Sequence, residues 1–193
     1  MTVPDPIALA QSWLDAALRA GAPQPEAMAL ATANEQGQPS VRMVLMRGLD
    51  QEGFRFYTNR ESRKGDELAA NPWAAIAFYW EPPGLQLRAE GPVRPLDDEA
   101  SDAYFASRPR ESQLGAWASR QSRELESREA LLDAYAQEQR RWGERAVARP
   151  PHWGGYLLVP HAIEFWEHGE HRLHRRRQFR RNGDGWTLRQ LAP

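Results

Sequence analysis

The alternation of apolar and polar residues divides the first part of the chain into one helix and several short strands. Apolar side chains recur at helical spacing from Leu9 to Ala17, which predicts a helix over Asp5–Ala20. Apolar or alternating runs separated by polar turns follow, and they predict strands over Ala29–Ala33, Val41–Arg47 and Phe54–Asn59. This succession is typical of a strand meander with short connections.

The rest of the chain mixes further strands with longer helical segments. Helices are predicted over Ser62–Ala70, Asp97–Ser107, Ser112–Trp117 and Glu124–Trp142, with Ser62 and Ser112 as N-caps. Strands are predicted over Ala74–Trp80, Leu85–Glu90, Gly155–Val159, Ile163–Trp166, Arg175–Arg181 and Trp186–Leu191. The pattern therefore predicts an α+β protein, mainly β, built as an antiparallel β-barrel with peripheral helices. We find no domain boundary and expect a single domain over residues 1–193.

Composition narrows the possible classes of protein. The 193 residues are 41% hydrophobic and 26% charged, which is typical of a soluble globular chain. The net charge of −1 gives no global electrostatic case for binding nucleic acid or membranes. The absence of cysteine excludes disulfides, thiolate metal sites and cysteine nucleophiles. The first residues lack the basic start and apolar core of a signal peptide, so we expect a cytoplasmic protein.

The only lysine lies where a phosphate could bind. Lys64 follows Ser62 and Arg63 at a predicted helix start, directly after the strand Phe54–Asn59. The unpaired N–H groups and the dipole of a helix N-terminus favour an anion at that point. The alternative is that a single lysine at this place has no special role.

Two further segments carry cations that could face the same kind of ligand. Arg42 and Arg47 flank an apolar strand, but residues five apart face opposite sides unless the strand bends, so both could also be solvated strand ends. Tyr104 and Arg108 share a helix face, and Ser112 follows the break at Pro109. These groups could form a second anion site, or simply an ordinary helix–turn–helix corner.

A basic run near the C-terminus is open to several interpretations. If residues 170–177 are extended, Arg172, His174 and Arg176 lie on one face, just after the aromatic pair Phe165 and Trp166. Such a run could be a solvated sheet edge, a nucleic-acid patch or a surface for a flat heterocyclic anion. The histidines in this run lack a third ligand for a metal, and we predict no metal site.

Long motifs in this chain resemble the pyridoxine/pyridoxamine 5′-phosphate oxidase family of FMN enzymes. They are RMVLMR at Arg42, FYTNRESRK at Phe56, SRPRESQLGAWASRQS at Ser107, EFWEHGEHRLH at Glu164 and the terminal RQLAP. The resemblance runs from about Pro4 to Pro193, in the family's order and spacing. It implies an FMN-binding split barrel, and a homodimer with FMN sites at the subunit interface. The segment from about residue 150 to 193 would then serve dimerisation.

The resemblance also implies roles for individual residues. Expected FMN contacts are Arg42, Met43, Val44, Leu45, Met46, Arg47, Tyr57, Thr58, Arg63, Lys64, Gln86, Gln121, Ser122, Trp166 and Arg176. The last five of these are expected to come largely from the other subunit. Expected substrate contacts are Arg47, Tyr104, Arg108, Ser112, Arg172, Leu173 and His174. Among these, Arg172 and His174 are the implied catalytic pair over the pyridine ring.

The implied reaction is oxidation of pyridoxamine or pyridoxine 5′-phosphate to pyridoxal 5′-phosphate, with O2 reduced to H2O2. Two departures bear on it. Arg47 stands where the family usually has lysine, so a planar, forked guanidinium replaces the compact charge of an ammonium group. The chain also begins after the basic, tyrosine-containing arm of some members, so we expect closure of the site to differ.

Three other functions remain open on the sequence. A sister flavin oxidase would act on another substrate, such as a dihydrophenazine. A carrier would bind flavin or pyridoxal phosphate without turnover, and a nucleic-acid protein would use the run Arg172–Arg181.

Overall fold

The computed structural model describes residues 3–193, so residues 1 and 2 of the predicted domain lie outside the described part. The helices are α1 (Pro6–Arg19), α2 (Arg63–Ala70), α3 (Asp98–Ser107), α4 (Arg110–Ala118) and α5 (Arg128–Trp142). The strands are β1 (Ala27–Ala33), β2 (Pro39–Asp50), β3 (Gly53–Asn59), β4 (Trp73–Trp80), β5 (Leu85–Pro95), β6 (Trp153–Leu158), β7 (Ala162–Glu167), β8 (Arg175–Asn182) and β9 (Gly185–Leu191).

Six antiparallel strands close into a barrel, as the sequence predicted. The order is β4-β1-β2-β3-β6-β5, and pairing of β5 with β4 completes the circle. Strands β7, β8 and β9 extend the sheet from the other edge of β5. Closure leaves no free edge in the barrel itself, while the extension carries the C-terminal motifs away from it.

The barrel interior is filled by the alternating inward residues of the strands. Its largest fully buried side chains include Phe54, Phe56, Phe78 and Phe165. Helix α1 covers one side of this core and packs Trp13 edge-on against Phe165, with ring centroids 4.9 Å apart. Burying such a side chain contributes roughly 1.5–3 kcal/mol, so the aromatic strands supply much of the fold's stability.

Two predicted helix starts differ from the structure. Ser112 is not an N-cap, because α4 already begins at Arg110, after Pro109. Proline at the cap leads directly into the helix, so no serine cap is needed. Helix α5 begins at Arg128 rather than Glu124, because the Ser127 side chain accepts a hydrogen bond from the N–H of Ala130.

The position of Ser62 as the N-cap of α2 is confirmed, but its hydroxyl does not cap the helix. The Ser62 Oγ instead donates to the carbonyl of Asn59, 2.7 Å away. The first-turn N–H groups of α2 therefore receive no acceptor from the cap side chain. Among residues 3–193, no helix is long and apolar enough to cross a membrane.

A close backbone approach at Gly91 marks where β5 changes partners. The outer edge of β5 pairs with β7 up to Glu90 and with β6 from Val93. The chain joining β6 to β7 crosses at this point, and a Cβ on Gly91 would lie 2.1 Å from the carbonyl oxygen of Val159. No side chain fits in that space, so the change of partners requires glycine.

We expect Gly91→Ala to destabilise the protein by about 1–3 kcal/mol, because backbone must move to accept the methyl group. Urea unfolding would measure the loss. Gly115→Ala is the matched control, because a Cβ there meets nothing within 4 Å. Equal stability of the two variants would contradict the steric role of Gly91.

Candidate functional site

The main cleft of the chain has a volume of about 780 Å³. It lies between β2, β3, the start of α2 and the corner joining α3 to α4. Clefts of this size hold cofactors and drug-sized ligands. The predicted site residues that line it are Arg42, Met43, Val44, Leu45, Arg47, Tyr57, Thr58, Arg63, Lys64, Tyr104, Arg108, Ser112, Gln121 and Ser122.

Both arginines of β2 line this cleft, and a β-bulge lies at the second of them. The pairing of β2 with β3 shifts register between Met46 and Gly48, which leaves Arg47 as an extra residue in the strand. A bulge bends a strand and redirects its side chains. Residues 40–45 of β2 line the cleft from both faces of the strand, so Arg42 and Arg47 both line it although they stay on opposite faces of the alternation.

The start of α2 forms one cationic end of the cleft. The Lys64 ammonium is buried and donates to Ser62 Oγ at 2.9 Å and to Gln121 Oε1 at 2.7 Å. Burial and, to a smaller extent, the charge of Arg42 lower the pKa of Lys64 to about 8, although Glu67 acts against both. A bound anion would favour the charged form of this lysine.

A buried carboxylate lies behind this end. Glu67 accepts hydrogen bonds from Ser40, Thr32, Arg42 and Arg63, which lie on three different elements. Burial acts to raise the pKa of Glu67, but these four donors outweigh it and hold the pKa at about 2. The group is therefore an anion at neutral pH.

The corner between α3 and α4 forms the second cationic end. The Arg108 guanidinium lies over Trp153, with Cζ 4.7 Å from the ring centroid. One of its terminal nitrogens is buried and has no hydrogen-bond partner among the described residues. Burial lowers the pKa of Arg108, the charge of Arg47 adds to this, and Tyr104 acts in the opposite sense. A buried donor without a partner is a place for a ligand acceptor.

Stacked aromatic rings support this end. The Tyr104 ring stacks on the Tyr57 ring, with centroids 4.0 Å apart. The centroid of the Trp153 ring lies 5.6 Å from that of Tyr57, and the planes of these two rings are nearly parallel. The stack fixes Tyr104 and gives Arg108 a cation–π contact. Tyr104, Arg108 and Ser112, which the sequence grouped as a possible anion site, line one cleft.

Some predicted residues lie elsewhere in this chain. Met46 is buried in the barrel core, because the strand alternation turns it inward. Gln86, Trp166 and Arg176 face one another across β5, β7 and β8, outside the cleft. Gln121, which was expected from the other subunit, contacts Lys64 of its own chain.

The residues of β5, β7 and β8 form a second surface with the loop that precedes β8. We call Gln86, Trp166, His174 and Arg176 with residues 169–173 the RLH surface. The His174 ring lies 4.5 Å from that of Trp166. Arg176 donates to the buried carboxylate of Glu164 at 2.8 Å. The structure thus divides the predicted site residues between the cleft and the RLH surface.

The loop of the RLH surface has an unusual backbone. His171 and Arg172 both have positive φ, at 53° and 65°, so the first part of the run 170–177 is not extended. The extended conformation begins only at Arg175, where β8 starts. A Cβ on Gly169 would lie 2.2 Å from the carbonyl oxygen of Leu173. The Gly169 N–H donates to His174 Nδ1 at 3.2 Å, so the neutral ring carries its proton on Nε2.

Sequence reasoning missed several polar groups of the site. Ser40, Asn59, Ser119 and Trp153 line the cleft, and Glu67 lies behind it. Glu67 is four residues after Arg63 on α2, and this spacing is a sequence signal for an ion pair. The other residues come from separate elements, and their sequence spacing gave no signal.

The motifs and the fold match known proteins. The family model for pyridoxamine 5′-phosphate oxidase covers residues 14–141, and that for the pyridoxine 5′-phosphate oxidase C-terminal dimerisation region covers residues 153–193. The pyridoxine/pyridoxamine 5′-phosphate oxidase of Cupriavidus metallidurans is 51% identical over 191 residues, covering 98% of this chain and 90% of the relative.

Two solved structures share the architecture. PhzG from Burkholderia lata, crystallised with tetrahydrophenazine-1-carboxylic acid, is 38% identical with a TM-score of 0.93, covering 98% of this chain and 93% of that one. A pyridoxamine 5′-phosphate oxidase-related, FMN binding protein from Nostoc punctiforme has a TM-score of 0.77 at 21% identity over the whole of both chains, which shows the shared fold. On the family model and the half-identical relative, this chain is an enzyme of the pyridoxine/pyridoxamine 5′-phosphate oxidase family.

Proposed function

We propose that this protein uses FMN to oxidise pyridoxamine 5′-phosphate and pyridoxine 5′-phosphate to pyridoxal 5′-phosphate, with O2 as the electron acceptor and H2O2 as its product. The observation that carries the proposal is the presence of two separate cationic ends in one cleft, at Lys64 and at Arg108. Two phosphate monoesters, one on the cofactor and one on the vitamer, match these two ends.

The residues at the α2 end fit the phosphate of FMN. Arg63 and Lys64 supply cations at a helix start whose cap side chain accepts no first-turn N–H. Arg42, Arg47, Tyr57 and Thr58 line the cleft alongside and would contact the ring and the ribityl chain. Gln121 and Ser122 close this end, and Gln121 is already oriented by its bond to Lys64.

The residues at the α3–α4 corner fit the substrate phosphate. Arg108 offers a buried donor that has no partner within residues 3–193, and Tyr104 and Ser112 add hydroxyl groups to the same cleft. A charge-assisted contact to phosphate is stronger than one between neutral groups. Arg47, whose charge reaches Arg108, would lie between cofactor and substrate.

The RLH surface would complete the site from a second subunit. Gln86, Trp166 and Arg176 would contact FMN, and Arg172, Leu173 and His174 the substrate. These residues lie outside their own chain's cleft, and residues 153–193 match a dimerisation region. Val41 and Met43 on β2 are exposed apolar residues at the cleft, which a partner subunit would cover. We therefore propose a homodimer in which residues 1–193 form one domain and 150–193 carry the dimer contact.

The catalytic roles follow from this placement. When held at the α2 end by residues such as Arg63 and Lys64, FMN would supply the acceptor for hydride from C4′ of the vitamer and would be reoxidised by O2. With the amine substrate, water would then hydrolyse the imine product and release ammonia. The chain's own contribution is to hold the pyridine ring against the flavin face. Arg172 and the Nε2–H of His174 would donate hydrogen bonds to the ring substituents and orient them.

A sister oxidase acting on a dihydrophenazine is the second candidate. The resemblance to PhzG, a structure with a tetrahydrophenazine carboxylic acid, favours it. A phenazine carboxylate carries a single negative charge and two acceptor oxygens. A phosphate monoester carries up to two charges and three such oxygens, so it suits the three donors Tyr104, Arg108 and Ser112 better. Reduction of the flavin by each substrate decides between the two.

We expect pyridoxamine 5′-phosphate, added without oxygen to the FMN-loaded protein, to bleach the visible flavin absorption, and air to restore it. Stopped-flow absorption would follow both steps. A flavin that stays oxidised with this substrate, but is reduced by a dihydrophenazine, would favour the sister oxidase. Bound flavin that neither substrate reduces would indicate a carrier.

Arg108→Ala should raise the KM for pyridoxamine 5′-phosphate by roughly tenfold or more, because a charge-assisted hydrogen bond contributes about 1.5–3 kcal/mol. Steady-state kinetics would measure this. Arg110→Ala is the control, because Arg110 is a half-buried arginine that does not line the cleft and bonds to backbone carbonyls of Gly143 and Arg145. An unchanged KM for the Arg108 variant would refute the phosphate role.

Gly169→Ala should lower turnover roughly 10- to 100-fold, because its methyl group displaces the loop that orients Arg172 and His174. FMN content should stay near that of the wild type, because Trp166 and Arg176 lie on strands rather than on this loop. Gly185→Ala, which makes only ordinary contact at 3.7 Å, should keep full turnover. If Gly169→Ala loses bound FMN and turnover to the same extent, the result contradicts a role of this loop in orienting Arg172 and His174.

A further inference from the structure

Glu67 does not line the cleft, yet two of the cleft's arginines bond to it. Its side chain is 5% exposed. Oε1 accepts from Arg63 Nε at 2.8 Å, and Oε2 accepts from Arg42 at 3.3 Å and from Ser40 Oγ at 2.6 Å. Thr32 donates to the same Oε2. One carboxylate therefore joins β1, β2 and α2 behind the cleft.

These bonds determine which way the arginines present their remaining donors. Arg42 also donates to the Leu30 carbonyl at 3.0 Å and to Thr32 Oγ1 at 2.6 Å. Its second terminal nitrogen donates to Ser40 Oγ as well as to Glu67, so both terminal nitrogens are used within the protein. The Nε–H of Arg42 is the donor that has no partner among residues 3–193. Arg63 is a largely exposed side chain, and the bond to Glu67 is what restrains its Nε edge. A free arginine would lose more rotamer entropy on binding a ligand.

Glu67 also sets the charge at this end of the cleft. Arg42, Arg63 and Lys64 are three cations, and one carboxylate leaves a net charge of +2. That value matches the dianion of a phosphate monoester at neutral pH. The carboxylate also favours the protonated form of Lys64, against the effects of burial and Arg42.

We propose that Glu67 is a positioning residue for the cofactor phosphate, acting through Arg42 and Arg63 without touching the ligand. The inference rests on the proposed function, because it takes the phosphate of FMN as the group bound at the α2 end. Two opposite expectations make it testable. Removing the carboxylate raises the local charge to +3, so a role limited to charge predicts tighter phosphate binding. A positioning role predicts weaker phosphate binding, because Arg42 and Arg63 lose the carboxylate that orients them.

The test compares FMN with riboflavin, which lacks the phosphate, on the full-length protein freed of flavin. Flavin fluorescence titration gives the two dissociation constants, and circular dichroism confirms folding. In Glu67→Gln we expect the Kd for FMN to rise at least about tenfold. Losses of roughly this size are typical when a residue that orients the direct contacts of a bound group is removed. The Kd for riboflavin should change less than twofold.

A milder variant guards against loss of folding. Thr32→Val keeps the shape of a buried residue outside the cleft but removes the hydroxyl shared by Glu67 and Arg42. It should weaken FMN binding roughly three- to tenfold, again with riboflavin unchanged. Glu52→Gln is the matched control, because Glu52 also bonds two arginines, Arg55 and Arg94, on a surface outside the cleft. Its FMN affinity should equal that of the wild type.

The outcomes separate this inference from the proposed function. A wild-type protein that binds neither flavin overturns both. If the wild type binds FMN more tightly than riboflavin, and Glu67→Gln and Thr32→Val keep the same preference, that result overturns only the role of Glu67. Tighter FMN binding in Glu67→Gln would show a charge effect without positioning. Equal loss of FMN and riboflavin would show a purely structural role.

Discussion

The pairing of β5 on both of its edges is the constraint on which the remaining structure depends. One edge pairs with β4 and closes the barrel, while the other pairs first with β7 and then with β6. The barrel core and the C-terminal extension are therefore parts of one hydrogen-bonded sheet. Because a strand's side chains alternate between faces, β5 contributes Leu87 to the core and Gln86 to the RLH surface.

The electrostatics of the chain follow from how it distributes arginine. Buried or half-buried cations need carboxylates or ligands, since removing a charge from water is costly. Glu67 pairs with Arg42 and Arg63, and Glu164 pairs with Arg176. Arg108 lies against aromatic rings, and one of its buried nitrogens has no hydrogen-bond partner among residues 3–193. Arg42, Arg63 and Arg176 therefore each have a carboxylate counter-charge, whereas no ion pair of Arg108 is found within that range.

Rigid neighbours surround the groups that would contact a ligand. The Tyr57–Tyr104–Trp153 stack supports Arg108, the bulge at Arg47 redirects a strand, and the 169–174 loop holds His174 by a backbone bond. The aromatic stack joins residues that are far apart in the chain, whereas the loop bond joins residues five positions apart. Such preorganisation lowers the entropy lost when a ligand binds.

The sequence by itself determined the order of elements, the antiparallel barrel and the membership of the family. Local patterns suffice for these, because alternation, turn residues and long motifs are properties of neighbouring residues. It also identified Tyr104, Arg108 and Ser112 as a group, since helix spacing brings the first two together.

Only the tertiary structure decided which residues share a surface. It placed Arg42 and Arg47 in one cleft, Glu67 behind Arg42 and Arg63, and Met46 in the core. It also separated the RLH surface from the cleft of the same chain. The reason is physical: strand register, bulges and buried ion pairs depend on contacts between segments far apart in the chain, and no local pattern encodes them.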